Sequence, residues 1–302
     1  MKARGAQRRS DKLTVTAAMV KELREKTGLG MMDCKKALVD ADGEMEKAIE
    51  ELRKSSVLKA AKKSGRITAN GLLGFRKDEA GSKAVLVEVN IETDFAAKNE
   101  KFIAFVAKVA DELFDSENSD LALVMDAGLD TERENLVQEI GENITVRRAE
   151  VVRAPEGGSV GCYIHSDNLK GSFVVLDSEN QDLGRDIAMH VTAINPLVLR
   201  AQDVAEETIN KEREIYLSQA QESGKPPEIV DKMVDGRIKK FLSEVSLVDQ
   251  PFVKEPDKKV SELLKASSCE ILSFARIEVG EGIESKDEDF AAEVAAQLKD
   301  SQ

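Results

Sequence analysis

The stretch VLVEVNIETDFAAKNEKFIAFVAKV, Val85 to Val109, holds the two periodicities on which the fold turns. Its first part, Val85-Leu86-Val87-Glu88-Val89, is short, apolar-rich and dense in β-branched residues, which suits a strand. After Glu92-Thr93-Asp94 the period changes. Phe95, Phe102, Phe105, Val106 and Val109 recur at helical spacing. A strand therefore runs into a helix, with Thr93 or Asp94 at the N-cap. Either side chain can accept a hydrogen bond from the open N–H groups of the first turn. Phe95 falls in that first turn, at a corner of the fold. It either staples the helix to the sheet or projects as a wedge into something else. Its spacing from Phe102, about two turns, places both on one face and favours the core.

The chain has 302 residues, enough for about two domains. With 41% hydrophobic and 33% charged residues and no Trp, it suits a helix-rich, heavily solvated protein with real cores. A formal charge of -13 opposes stable binding of nucleic acid, whose phosphates it would repel, and suits a partner with a basic face. The cysteines Cys34, Cys162 and Cys269 lie far apart. They read as free thiols in a reducing, cytoplasmic setting. No apolar run approaches the ~20 residues of a membrane span. The opening MKARGAQRRS is basic and lacks an apolar core, so it is not a secretory signal. Residues 1–13 read as a disordered basic tail, with an upstream start or the end of a transit peptide as alternatives.

Outward from the central stretch, residues 14–54 form a helical module. Thr16 caps a first helix carrying Val20 and Leu23, which ends at Thr27-Gly28. The loop Gly28-Leu29-Gly30-Met31-Met32 leads to a second helix with Cys34, Ala37, Leu38 and Ala41, and a third carries Met45, Ala48, Ile49 and Leu52. Met31 and Met32 either plug this small core or form an adaptable contact surface. Residues 55–66, within KSSVLKAAKKSGR, read as a basic linker or solvated helix. A first α+β subdomain, 67–152, has strands around Leu72–Phe75 and Ala84–Val89 joined at Lys77–Gly81. The Thr93 corner follows, then a helix ending near Gly141 and a strand from Ile144 to Val152.

The plan recurs in a second subdomain, 153–202 and 248–284. Its strands Val160–Ile164 and Ser172–Leu176 are bridged by His165-Ser166-Asp167-Asn168. A helix follows with Ile187, Ala188, Val191 and Ile194, ending at Asn195-Pro196. The fold class is α+β, with two core subdomains that look duplicated. Residues 203–247 carry two apolar stripes: Val204, Ile209, Ile215, Tyr216, Ala220, and Ile229, Met233, Ile238, Phe241, Leu242. Between them Ser223-Gly224-Lys225-Pro226-Pro227 stops and restarts the helix, so an inserted antiparallel hairpin is expected. Its charged faces suit a projecting arm that meets a second copy. A further helix at Val260–Ala266, a strand at Glu270–Val279 and a C-terminal helix within 285–302 complete the chain.

No phosphate-binding loop of the GxxxxGK[ST] type occurs, and Gly157, Gly158 and Gly161 do not make a dinucleotide fingerprint. No nucleotide pocket or cofactor is therefore expected. The two histidines, His165 and His190, have no Cys or His at ligand spacing, so no metal site is expected either. His190 reads as structural and His165 as an exposed turn residue. No nucleophilic triad or carboxylate pair stands out as catalytic. The chain reads as an interaction protein with several contact surfaces.

Long stretches then resemble one family in order along nearly the whole chain. These are TGLGMMDCKKAL at Thr27–Leu38, ETDFAAKN at Glu92–Asn99, IGENITVRR at Ile140–Arg148, IAMHVTAINP at Ile187–Pro196, SGKPPEI at Ser223–Ile229, QPFV at Gln250–Val253 and EVGEGIE at Glu278–Glu284. The family is bacterial translation elongation factor Ts. The resemblance implies a guanine-nucleotide exchange factor that binds GDP-loaded elongation factor Tu, promotes GDP release by displacing Mg²⁺ coordination, and leaves when GTP returns. No covalent chemistry is implied. The implied fold has an N-terminal module like a ubiquitin-associated domain, two core subdomains, a coiled-coil hairpin and a C-terminal module.

The resemblance also implies site residues. Thr93, Asp94, Phe95 and Ala96 form the segment that enters the GTPase near its magnesium site, with the aromatic as wedge. Met31 and Met32 match the N-terminal contact loop. Gly141, Glu142 and Asn143 match a loop approaching the nucleotide-binding domain. His165 falls in the family's hairpin turn, followed by Ser166-Asp167-Asn168 where a glycine-rich continuation is usual. Two other readings compete: an adaptor of the ubiquitin-associated type that binds a partner without driving exchange, and a hydrolase with an unrecognised acidic site.

Overall fold

The computed structural model describes residues 15–116, 120–221 and 226–284. The expected basic tail, the C-terminal helix and the turn residues Ser223, Gly224 and Lys225 lie outside these. Three helices open the chain: α1 (Ala17–Thr27), α2 (Met31–Asp40) and α3 (Met45–Lys63). Thr16 caps α1 by accepting from the Met19 N–H at 3.3 Å. Gly28, at φ 72°, closes its other end by donating to the Arg24 carbonyl. Val20, Leu23, Leu29, Cys34, Leu38, Ala48 and Leu52 share one buried cluster.

Of the two readings of 55–66, linker or solvated helix, the helix holds, because α3 runs on to Lys63. Ser56 and Ala60 on this part of the helix are buried. Ser56 donates to Gln138 at 2.8 Å, and Ala60 joins the main core. Two small buried residues about a turn apart give the basic segment an inward face. That turns a charged run into the far half of a helix.

The first sheet is antiparallel in the order β1 (Asn70–Lys77), β2 (Lys83–Ile91), β3 (Ile144–Arg153). Every residue of the central strand β2 is buried. Val85, Val87, Val89 and Ile91 face one way, into a cluster with Phe102, Phe105, Val106, Val109 and Leu113 of the helix α5 (Glu100–Ser116). The alternate residues face the second sheet. Ala84 packs with Val160, Phe173 and Val175, and Leu86 packs with Leu73 and Ile277. This double cover explains the near-continuous apolar run.

Between the central stretch and β3 lie a short turn, α4 (Asp94–Ala97), then α5, α6 (Leu121–Val124), a wide turn broken by Gly128 at φ 126°, and α7 (Asp130–Ile140). The second sheet has the order β4 (Ser159–Ile164), β5 (Lys170–Leu176), β8 (Ile271–Glu278). In both sheets a hairpin is followed by a helix and a later strand that pairs with the hairpin's second strand. The helix here is α8 (Gln181–Ile194), capped by Asn180 and closed by Asn195 at φ 55°. It rests on β4 where glycine meets glycine. A Cβ at Gly161 would come within 2.0 Å of the Gly184 backbone, so only a hydrogen fits there.

The inserted hairpin is α9 (Glu206–Gln221) and α10 (Pro227–Val245). Its apolar cluster, Ala220, Val230, Val234 and Ile238 with Ile209, Tyr216 and Leu242, contains residues of these two helices alone. Two assignments to its stripes are corrected. Ile215 and Ile229 are exposed, while Val230 and Val234 are buried. Val230, Val234, Ile238 and Leu242 follow one ridge at four-residue spacing, so Ile238 and Leu242 keep their inward places and Ile229 falls off the ridge. At its base, Val198 and Ser246 form a parallel bridge. The chain then makes a small hairpin, β6 (Pro251–Phe252) and β7 (Glu255–Lys259), before α11 (Val260–Ala266). Among the described residues no helix is long and apolar enough to cross a membrane.

Candidate functional site

The Thr93 corner is a separate turn, not the start of one long helix. Thr93 caps α4, its hydroxyl accepting from the Ala96 N–H at 3.2 Å. The chain breaks at Lys98-Asn99, and Asn99 starts α5 by accepting from the Lys101 N–H at 2.9 Å. The expected shared face of Phe95 and Phe102 is therefore corrected. Phe102 is fully buried, and Phe95 is 81% exposed. Ala96 and Ala97 take the inward side of the turn.

The ammonium of Lys98 lies 5.4 Å from the centre of the Phe95 ring and 2.9 Å from the Asp94 carboxylate. Its hydrogen bond holds the Asp94 carboxyl below the usual range, against a smaller opposing effect of burial. Asp94 does not cap the helix. Its carboxylate pairs with Lys98 at the surface of the turn.

The loop Gly141-Glu142-Asn143 stands directly behind this turn. Gly141 ends α7 at φ 91°. The Glu142 carboxylate accepts from the Thr93 N–H at 2.9 Å with one oxygen and from the Thr93 hydroxyl at 2.8 Å with the other. In return, the Asn143 N–H donates to Glu92 at 2.5 Å. The buried Asn143 side chain donates to the carbonyls of Ser64, at 3.4 Å, and Arg66, at 3.1 Å. Lys63 donates to the Gly141 carbonyl, and burial lowers its pKa, with help from nearby Arg66. The end of α3 thus backs the loop, and the loop backs the turn. Sequence reading missed Glu92, Lys63 and Lys98 in this assembly. The only local signal was an acidic residue directly before the capping threonine.

Met31 and Met32 begin α2 and are 47% and 76% exposed, whereas Leu29 and Cys34 beside them are buried. The core of the module is complete without the methionines. Lys101 of α5 donates to the Gly28 carbonyl at 3.3 Å and pairs with Glu139 of α7. Met31 and Lys101 both line an open cleft between the N-terminal module and α5.

His165 sits in the β4–β5 turn. Its ring nitrogen Nδ1 lies 3.2 Å from the Tyr163 hydroxyl. Asn168 in the same turn, at φ 57°, accepts from the Leu73 N–H of β1 at 2.8 Å. The structure brings together Thr93–Ala96 and Gly141–Asn143 by direct bonds, and ties the Met31 loop to α5 through Lys101. His165 lies on the second sheet's hairpin.

Among the described residues no three His, Cys, Asp or Glu side chains cluster as a metal site. Two buried titratable groups, Glu88 and His190, are bonded within the fold. Glu88 is fully buried. It accepts from Arg148 at 2.6 Å, Gly280 N–H at 2.7 Å, Asn90 at 3.0 Å and Arg147 at 3.1 Å. A bulge in the β2–β3 pairing, where Glu88 faces Arg148 and Val89 faces Val146, lets both arginines reach it. His190 shares its Nε2 proton with Gln250 at 2.9 Å, and its Nδ1 accepts from the Val253 N–H at 3.2 Å. Both nitrogens are satisfied by the neutral ring.

The described residues thus form two three-stranded antiparallel sheets and a two-stranded one, a helical hairpin, and an exposed aromatic on a turn bonded from behind. The family model described as Elongation factor TS matches residues 92–281. The chain is 55% identical over 285 residues to elongation factor Ts of Hahella chejuensis, covering 94% of this chain and 99% of that one. It is 55% identical to the Marinobacter nauticus protein of that name, over 93% and 96% of the two chains. With the Teredinibacter turnerae protein it shares 51%, over 95% and 98%. The chain belongs to the elongation factor Ts family.

Proposed function

We propose that the chain is a translation elongation factor of the cytoplasm that binds elongation factor Tu in its GDP form and promotes GDP release. It makes and breaks no covalent bond. The observation that carries this reading is Phe95. A large aromatic that is 81% exposed, on a turn held from behind, is free to be buried by a partner. Thr93, Asp94, Phe95 and Ala96 form the entering segment, backed by the 141–143 loop, and Met31, Met32 and His165 add further contact surface.

The physics is that of linked binding. GDP is held through its phosphates and Mg²⁺, whose charge offsets theirs. Shifting the groups that position the metal weakens the nucleotide without chemistry. Burying one Phe yields about 1.5–3 kcal/mol. That is comparable with a typical coupling energy of ~1–3 kcal/mol, or about 5- to 150-fold in affinity. The coupling is reciprocal, so GTP binding expels the exchange factor. The formal charge of -13 suits a basic patch on the partner.

The test is release of fluorescent GDP from elongation factor Tu with and without this chain. Faster release supports the reading. Complex formation with unchanged release would favour an adaptor. In the hairpin, exposed Ile215 and Ile229 are the residues through which a second copy would pair. Sedimentation of the intact chain tests that contact.

A further inference from the structure

We propose that Glu142 is a positioning residue. Its carboxylate, from the loop after α7, fixes Thr93 so that Thr93 can cap α4 and set the projection of Phe95, and Glu92 holds the Glu142 loop in return. This inference rests on the reading of Phe95 as the exchange wedge. It assigns Glu142 an inward task, in place of direct contact with the partner.

The hydrogen-bond accounting carries it. A threonine hydroxyl has one proton and two lone pairs. Here the proton goes to Glu142 at 2.8 Å and a lone pair receives the Ala96 N–H at 3.2 Å. The second Glu142 oxygen takes the Thr93 N–H at 2.9 Å. Glu142 therefore fixes both the backbone and the hydroxyl orientation of the capping residue. Bonds to a charged acceptor are the stronger class, so this link outranks the cap it supports.

The return bond, Asn143 N–H to Glu92 at 2.5 Å, closes a reciprocal exchange between two corners. Each corner offers a carboxylate to the other's backbone. Arg66, 3.4 Å from Glu92, adds a cation at the junction. α4 is only four residues long, too short to persist alone. Phe95 contributes little packing of its own, its ring meeting chiefly Lys98. The direction of the wedge is thus determined by the clamp behind it.

Two measurements test the proposal. The first needs no partner: amide hydrogen exchange at Thr93 and Ala96 in the isolated chain. Glu142→Ala and Thr93→Val are each expected to speed exchange at Ala96 by about tenfold or more, while Thr93→Ser, which keeps the hydroxyl, stays within about twofold. Unchanged protection at both amides in Glu142→Ala would overturn the proposal.

The second is a double-mutant cycle on GDP release. Glu142→Ala is expected to slow release about fivefold or more in the native background and less than about twofold in the Phe95→Ala background, because the residue it serves is already gone. Equal slowing in both backgrounds would mean that Glu142 touches the partner directly, and would overturn the positioning role. If Phe95→Ala alone releases GDP at the native rate, the wedge reading fails. The amide exchange then still decides whether Glu142 organises the turn.

Discussion

Phe95 and Phe102 show how little spacing says when the backbone between two residues breaks. Both are large aromatics on a helical repeat, yet Asn99 restarts the helix and sends them to opposite fates. The consequence is measurable. Phe95→Ala is expected to slow GDP release from elongation factor Tu at least about tenfold, some 1.4 kcal/mol in the transition state. Its melting temperature should move little, since the ring is already in water. Phe102→Ala is the contrast, expected to cost about 3–5 kcal/mol of stability. Large destabilisation of Phe95→Ala, with normal release per folded molecule, would return Phe95 to the core. The candidate site was legible as far as its local chemistry reached: a capping threonine, a helix-ending glycine at 141, a pair of methionines after a glycine. The Glu92–Asn143 and Glu142–Thr93 exchange was not, because it joins corners far apart in sequence and no local period encodes it.

At the scale of elements, the same division holds. Strands with strong β-branched content and helices with caps could be read from the chain, as in β2, α1 and α8. The β6–β7 hairpin could not, since β7 is a wholly exposed, charged segment with no alternation to signal it. The inward faces of the hairpin helices are not marked by their largest apolar residues alone, since Ile215 and Ile229 face water. That hairpin nevertheless has a core of its own, and an ion pair from Arg213 to Asp235 at 2.8 Å joins its helices. Replacing residues 206–243 with a short glycine linker is expected to leave the remaining sheets folded, because the Val198–Ser246 bridge and the buried Leu247 stay in place. Circular dichroism and amide exchange of the shortened chain check this. Loss of protection in β4, β5 and α8 would show that the hairpin supports the body.

Over the whole molecule, two buried titratable groups tie distant segments together and set how the fold meets acid. Burial alone would raise the Glu88 carboxyl, but the Gly280 N–H, Asn90, Arg148 and Arg147 outweigh it and hold it below its ordinary 4.5. An unfolded chain then binds its proton first. The stability Glu88 gives is complete above about pH 4.5 and is lost as pH falls toward the folded value. His190 behaves in the same sense for a different reason. Burial lowers it from the ordinary 6.5, against a weaker opposing effect of Gln250. Its contribution is complete above about pH 6.5 and declines below it, as the unfolded ring takes up a proton that the folded ring refuses. Urea midpoints are therefore expected to fall in two steps on acidification, the upper one absent in His190→Gln. A flat profile from pH 7 to 5 would show that His190 stays uncoupled from folding.

The long third helix has a consequence for how the chain meets a protease. As a loose basic tether, the run from Lys54 to Arg66 would be the first target of trypsin, which needs an extended, accessible backbone. With Ser56 and Ala60 locked against the body, cutting after Lys54 or Lys59 has to wait for local unfolding. Brief digestion under native conditions is therefore expected to yield no fragment that ends at either lysine, and such fragments should emerge only as denaturant opens the helix. Their early accumulation in native buffer would mean that the N-terminal module hangs on a hinge instead of a rod.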